Sequence, residues 1–123
     1  MNIRKKLGDY GEKLAANFLK SKGMILLESQ YKKTFGEIDL ICQDGDEVVF
    51  VEVKTRKSST SGYPEDSVTP KKIQHILRVA EQYLQTKGLF ESAWRIDVVA
   101  IEFVADSPVI THIKNIDIPE IFW

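Results

Sequence analysis

The amino-acid sequence predicts an α/β fold, a mixed β-sheet flanked by α-helices. Three observations point there. Two apolar, β-branched runs, 36–41 and 48–54, stand on either side of Asp44-Gly45, and Asp-Gly in that setting is a strong hairpin signal. A strongly amphipathic helix at 70–87 separates this hairpin from a later apolar run at 94–103, so it can supply the crossover that a parallel strand pair requires. Another amphipathic helix, at 9–22, precedes the strands, and helices interleaved with strands place a sheet between helical layers.

The elements follow in order. Asp9 and Glu12 match the N-cap and third-position residues of a capping box, and Tyr10, Leu14, Phe18 and Leu19 recur at helical spacing. Lys22-Gly23 supplies a basic last turn and a glycine stop. Residues 24–27 form a short apolar strand, and 36–43 with 47–54 make the hairpin. The polar stretch 55–68, with Gly62 and Pro64, is the longest irregular segment. Thr69 caps the second helix, Pro70 fits its first position, and Ile73, Ile76, Leu77, Ala80, Tyr83 and Leu84 form its apolar stripe up to Gly88. Residues 94–103 are apolar enough for a strand covered on both faces. A turn at Asp106-Ser107-Pro108 leads to a last strand at 109–113, and the apolar tail 116–123 docks on the domain or on another subunit.

The hairpin carries charge where a simple fold should be apolar. With Asp44-Gly45 as the turn residues, Gln43 pairs with Asp46 and Asp39 lies opposite Phe50. Side chains alternate along a strand, so Glu37, Asp39 and Ile41 share a face with Val48, Phe50, Glu52 and Lys54. Asp39 and Glu52 are then diagonal neighbours, about 7–8 Å apart at the backbone, and can converge on one cation. Magnesium takes oxygen ligands, usually one or two carboxylates with retained water. A lysine alongside can orient that water, accept its proton or stabilise phosphoryl charge. For any one of these residues alone, a cross-strand ion pair is a sufficient account. Three together on one hairpin face favour a divalent-metal site for phosphodiester hydrolysis. Glu12 has a capping role available, and it also lies on the helix flank that can face the sheet. Lys71, Lys72, His75 and Arg78 crowd the start of the second helix, where the macrodipole disfavours cations; either an anion partner or an exposed basic face accounts for them. Arg95 and Asp97 read as an intramolecular ion pair.

A length of 123 residues with 43% hydrophobic and 28% charged residues fits one globular domain. No apolar run is long enough to span a bilayer. Cys42 is the one cysteine; it excludes an internal disulfide, fits a reducing cytoplasm, and alternates onto the face opposite Asp39 as a packing residue. The net charge of −1 hides basic zones, +5 over residues 1–33 and +4 over residues 54–78. Basic zones around an acidic site suit a phosphate backbone.

Gly11-Glu12, Gly36-Glu37-Ile38-Asp39-Leu40-Ile41, Phe50-Val51-Glu52-Val53-Lys54-Thr55-Arg56, Lys72 and Arg95-Ile96-Asp97-Val98-Val99 together resemble the small bacterial YraN family, over nearly the whole chain. That family is similar to archaeal Holliday-junction resolvases, within the restriction-endonuclease-like nucleases. The resemblance implies a restriction-endonuclease-like mixed β-sheet flanked by α-helices. It also implies a Mg2+ or Mn2+ site with Asp39 and Glu52 as ligands, Lys54 as the catalytic lysine, and Glu12 as the helix-one glutamate completing the site. The expected activity is metal-dependent cleavage of DNA, of branched or repair intermediates, with Arg56, Lys57 and Lys72 on phosphates. By analogy with resolvases the chain is expected to form a homodimer. The competing expectation is a catalytically silent nucleic-acid-binding module on the same fold.

Overall fold

The computed structural model describes residues 2–57 and 68–122. The elements described are α1 (Ile3–Ser21), β1 (Ile25–Lys33), β2 (Gly36–Asp44), β3 (Glu47–Lys57), α2 (Pro70–Thr86), β4 (Trp94–Val104) and β5 (Ser107–Ile113), followed by a 3-10 turn at Glu120–Phe122. They form a five-stranded mixed sheet in the order β1-β2-β3-β4-β5. β3 and β4 run parallel, with α2 lying between them in the chain, and the other neighbouring pairs are antiparallel. The predicted α/β architecture is therefore the one observed.

The apolar patterns explain the layers. Alternate residues of β3 face opposite helices: Val48 and Phe50 pack with Ile76, Val79, Ala80 and Tyr83 of α2, while Val49 and Val51 pack with Ala15 and Leu19 of α1. Both faces of β3 and β4 are covered, so these strands read as nearly unbroken apolar runs. Cys42 is buried in the α1 layer, as its alternation predicts. Thr69 caps α2 by accepting a hydrogen bond from Lys72 N at 3.2 Å. The tail folds back: Ile116 N donates to Ile96 O at 2.8 Å, and Ile116, Ile118 and Phe122 pack against the α2 side.

Several expectations need correction. α1 starts at Ile3, with Asn2 as N-cap accepting from Lys5 N at 3.1 Å. Its first turn is polar and exposed, so no apolar stripe announces it. Asp9 is therefore a mid-helix residue, ion-paired to Lys5 at 3.1 Å, and the Asp9–Glu12 capping box does not form. β1 runs to Lys33, well past residue 27, because it pairs along β2 as far as Gly36. In the hairpin, Asp44 pairs with Glu47 and Ile41 with Phe50. The turn residues are Gly45-Asp46, with Gly45 at φ +59° in the first loop position that a type II′ turn reserves for glycine. This is a two-residue shift from the predicted register, so the side chains of the paired stretch 40–44 and 47–51 keep their faces. Finally, Ala105 and Asp106, at φ +48° and +65°, form the β4–β5 turn as a type I′ pair demands, and Pro108 lies in the edge strand β5, where its missing N–H is tolerated. Of the predicted irregular stretch, 55–57 belong to β3; residues 58–67 lie outside those described.

α1 crosses β3 at close range. A Cβ on Gly11 would sit 2.0 Å from Thr55 Oγ1, so glycine is required there by contact and not by φ. Alanine gains about 1 kcal/mol of helix propensity but incurs about 1–3 kcal/mol of overpacking. Gly11→Ala is expected to lower stability by about 1 kcal/mol, and Gly11→Ala with Thr55→Ala to recover part of it. A urea-denaturation cycle checks this; strict additivity would show that the contact is not what limits residue 11.

Candidate functional site

The site forms where β2 turns over. Ile38 and Ile41 both pack on the α2 side, although residues three apart on a regular strand point to opposite faces. The strand changes face between them, at Asp39. Across the ladder on β1, Gln30 takes φ +50°. The regular β2–β3 ladder reaches only to Leu40↔Val51. Beyond it, the Asp39 carboxylate accepts a hydrogen bond from Val53 N at 2.8 Å, standing where a strand carbonyl would otherwise be. Continuing the observed register by one pair sets Asp39 opposite Glu52, not diagonal to it.

Glu52 is 6% exposed, and its carboxyl group meets that of Asp39. Burial, then the charge of Glu52, push the Asp39 pKa up to about 8, with the Val53 N–H opposing them. Glu12 enters from α1 because Gly11 admits the helix. Its pKa is raised chiefly by burial, against a hydrogen bond from Gln30, with Asp9, Glu37 and Glu52 adding negative charge. With the capping box gone, Glu12 has no capping role to explain its place. It shares a cavity of about 430 Å3 with Arg4, Val53, Lys54 and Thr55.

Two lysines face the acids. Lys72 Nζ, from the first turn of α2, pairs with Glu52 Oε1 at 2.9 Å. Burial works against the Lys72 charge, yet contact with Lys54 and with Glu52 raises its pKa overall. Lys54 is shifted the other way: burial and the neighbouring Lys72 lower its pKa, against the pull of Glu52 and Asp39. Arg56 is turned into the sheet, with Nη2 on Glu102 Oε1 at 3.2 Å. Lys57 is exposed at the end of β3. The structure therefore gathers Glu12, Asp39, Glu52, Lys54 and Lys72, and leaves Arg56 and Lys57 further along β3.

Sequence reasoning named Lys72 as a site residue, for phosphate contact, but not its pairing with Glu52, and it missed one participant. Gln30, which touches both Asp9 and Glu12, had no signal, since its left-handed backbone is not legible in an apolar strand pattern. The predicted Arg95–Asp97 pair is present, at 3.0 Å, in a wider cluster with Asp44, Glu47 and His112 at the other end of the β3–β4 pair.

Among the described residues, no group of three or more His, Cys, Asp and Glu is arranged to hold a metal ion. Asp39 and Glu52 are oxygen donors of the kind that Mg2+ takes one or two of, with water at its remaining positions, and a dication between neighbouring carboxylates removes their repulsion.

A family model described as "Uncharacterised protein family UPF0102" matches residues 11–101. Relatives span almost the whole chain. A UPF0102 protein of Syntrophomonas wolfei is 42% identical over 113 residues, covering 92% of this chain and 98% of its own. One from Clostridioides difficile is 43% identical over 115 residues, with 94% and 98% covered. Another, from Dehalococcoides mccartyi, is 40% identical over 112 residues, with 91% and 93% covered.

Proposed function

The chain belongs to the UPF0102 family, and from that membership and the arrangement of its acids and lysines we propose that it is a metal-dependent endonuclease of the restriction-endonuclease-like kind. The observation carrying this reading is the partly buried Asp39 carboxyl group set beside the buried Glu52, which pushes its pKa up, with Lys72 Nζ 2.9 Å from Glu52 Oε1 and Lys54 alongside. Neighbouring acids are a poor stability device, since the charge of Glu52 disfavours the ionisation of Asp39. They are a good device for holding Mg2+ or Mn2+. When bound, the metal polarises a phosphoryl oxygen and acidifies its water.

Asp39 and Glu52 are the residues that would hold the ion, with Glu12 beside them on the α1 side. Lys54, with its lowered pKa, takes or orients the proton of the attacking water, while Lys72 compensates phosphate charge. Arg56 and Lys57 lie along β3 in the direction a backbone would leave the site. The substrate is DNA, with branched or flapped intermediates as the first structures to test.

Purified protein with Mg2+ is expected to cut such substrates. Asp39→Asn, Glu52→Gln and Lys54→Ala should each reduce the rate by at least about 10²-fold, and Ca2+ should support binding without turnover. No cleavage across the panel, with DNA affinity increased by neutralising Asp39 and Glu52, would instead identify a silent binding module.

A further inference from the structure

We propose that Lys72 is a displaceable counter-ion that occupies the metal's place on Glu52 until the dication arrives. The proposal rests on the metal-site reading above and deepens it. Glu52 is 6% exposed, so its charge needs a partner. The partner is Lys72 Nζ at 2.9 Å from Oε1, not the lysine two residues along the same strand. The Lys72 side chain retains 38% of its exposure, so its ammonium group is not locked in by packing and has room to withdraw. The other acid is already fastened: Asp39 Oδ2 accepts from Val53 N at 2.8 Å. A cation settling between the carboxyl groups therefore meets one acid that the backbone has positioned and one that a mobile ammonium covers. The ammonium must leave for Glu52 to ligate. Lys72 stands on the first turn of α2 behind its Thr69 cap, so only its side chain has to move, and a withdrawn ammonium remains beside the site to meet a phosphate oxygen.

The consequence is competition between Lys72 and metal. Binding of Mn2+ alone, measured by titration calorimetry without nucleic acid, reads it directly. With the competing ion pair removed, Lys72→Met should tighten Mn2+ binding about fivefold, the equivalent of about 1 kcal/mol. Lys71→Met removes the same charge from an exposed neighbour and should change the affinity by less than about twofold. Thermal unfolding gives a second readout. Lys72→Met should melt lower than wild type in chelator, because Glu52 loses its partner, and should gain more from saturating Mn2+ than wild type does. Wild-type binding that is unchanged or weakened in Lys72→Met overturns the counter-ion role and leaves the metal site standing. Absence of Mn2+ binding in wild type and both variants overturns the metal site and the counter-ion together.

Discussion

Asp39→Asn is expected to raise the melting temperature of the metal-free protein at pH 8 and to abolish its stabilisation by Mn2+. Burial and the charge of Glu52 lift the Asp39 pKa from 3.8 to about 8. A folded-state pKa above the unfolded value means that the folded protein binds the extra proton. The contribution of Asp39 to stability is then fully present below about pH 4 and is lost as pH rises through about 8. Asparagine has no charge to desolvate and keeps an oxygen for Val53 N. The gain should be largest at pH 8, on the order of 1–2 kcal/mol once the neighbouring acid relaxes, or about 5 °C for a domain of this size. It should nearly vanish at pH 5. Scanning calorimetry in chelator, then with Mn2+, separates the two effects. Wild type should recover stability with metal and Asp39→Asn should not. A variant that melts lower at both pH values would mean that the carboxylate is held for the fold and not for a ligand.

The same residue shows how far the sequence carries. Paired acids on one hairpin were legible because alternation survives a two-residue error in register: the turn is Gly45-Asp46, yet Asp39 and Glu52 still meet. The turnover of β2 between Ile38 and Ile41 was not legible, since it depends on where β2 leaves β3 and on the left-handed backbone of Gln30 across the ladder. The register of β2 on β3 sets Asp39 opposite Glu52, and the turnover accompanies its hydrogen bond from the Val53 N–H. Glu12 was legible only as an ambiguity. Asp9 imitated a cap, and the true cap at Asn2 lay ahead of a polar turn with no apolar signature. Lys72 was legible as a site residue, but its pairing with Glu52 was not. A carboxylate in β3 and a lysine in α2 are joined only by the crossover that lays the helix on the sheet.

Asp97→Ala is expected to be the most destabilising single change away from the site, at about 3–5 kcal/mol. Arg95 is 3% exposed and Asp97 0% exposed. The Asp97 carboxylate accepts from Arg95 Nε at 3.0 Å and from Asn115 N at 2.9 Å, and lies 2.7 Å from His112 Nε2. It therefore ties β4 to β5 and to the returning tail. Burial alone would raise its pKa, but His112, Arg95 and the Asn115 N–H together lower it. The stability it confers is present above the ordinary carboxylate range and is lost as pH falls through its lowered value. Truncation leaves a buried guanidinium, still held by Asp44 at 2.8 Å and Glu47 at 2.7 Å but missing its innermost partner, and it strands the Asn115 N–H. The urea midpoint should fall accordingly, and protection of the Asn115 amide from hydrogen exchange should be lost with it. Replacing both charges, Arg95→Met with Asp97→Leu, should cost less than the sum of the single changes, because unpaired buried charge rather than lost attraction dominates each one. If the two costs simply add, these groups do not act as a pair, and the anchoring of the tail must lie instead in Ile116 and the apolar contacts around it.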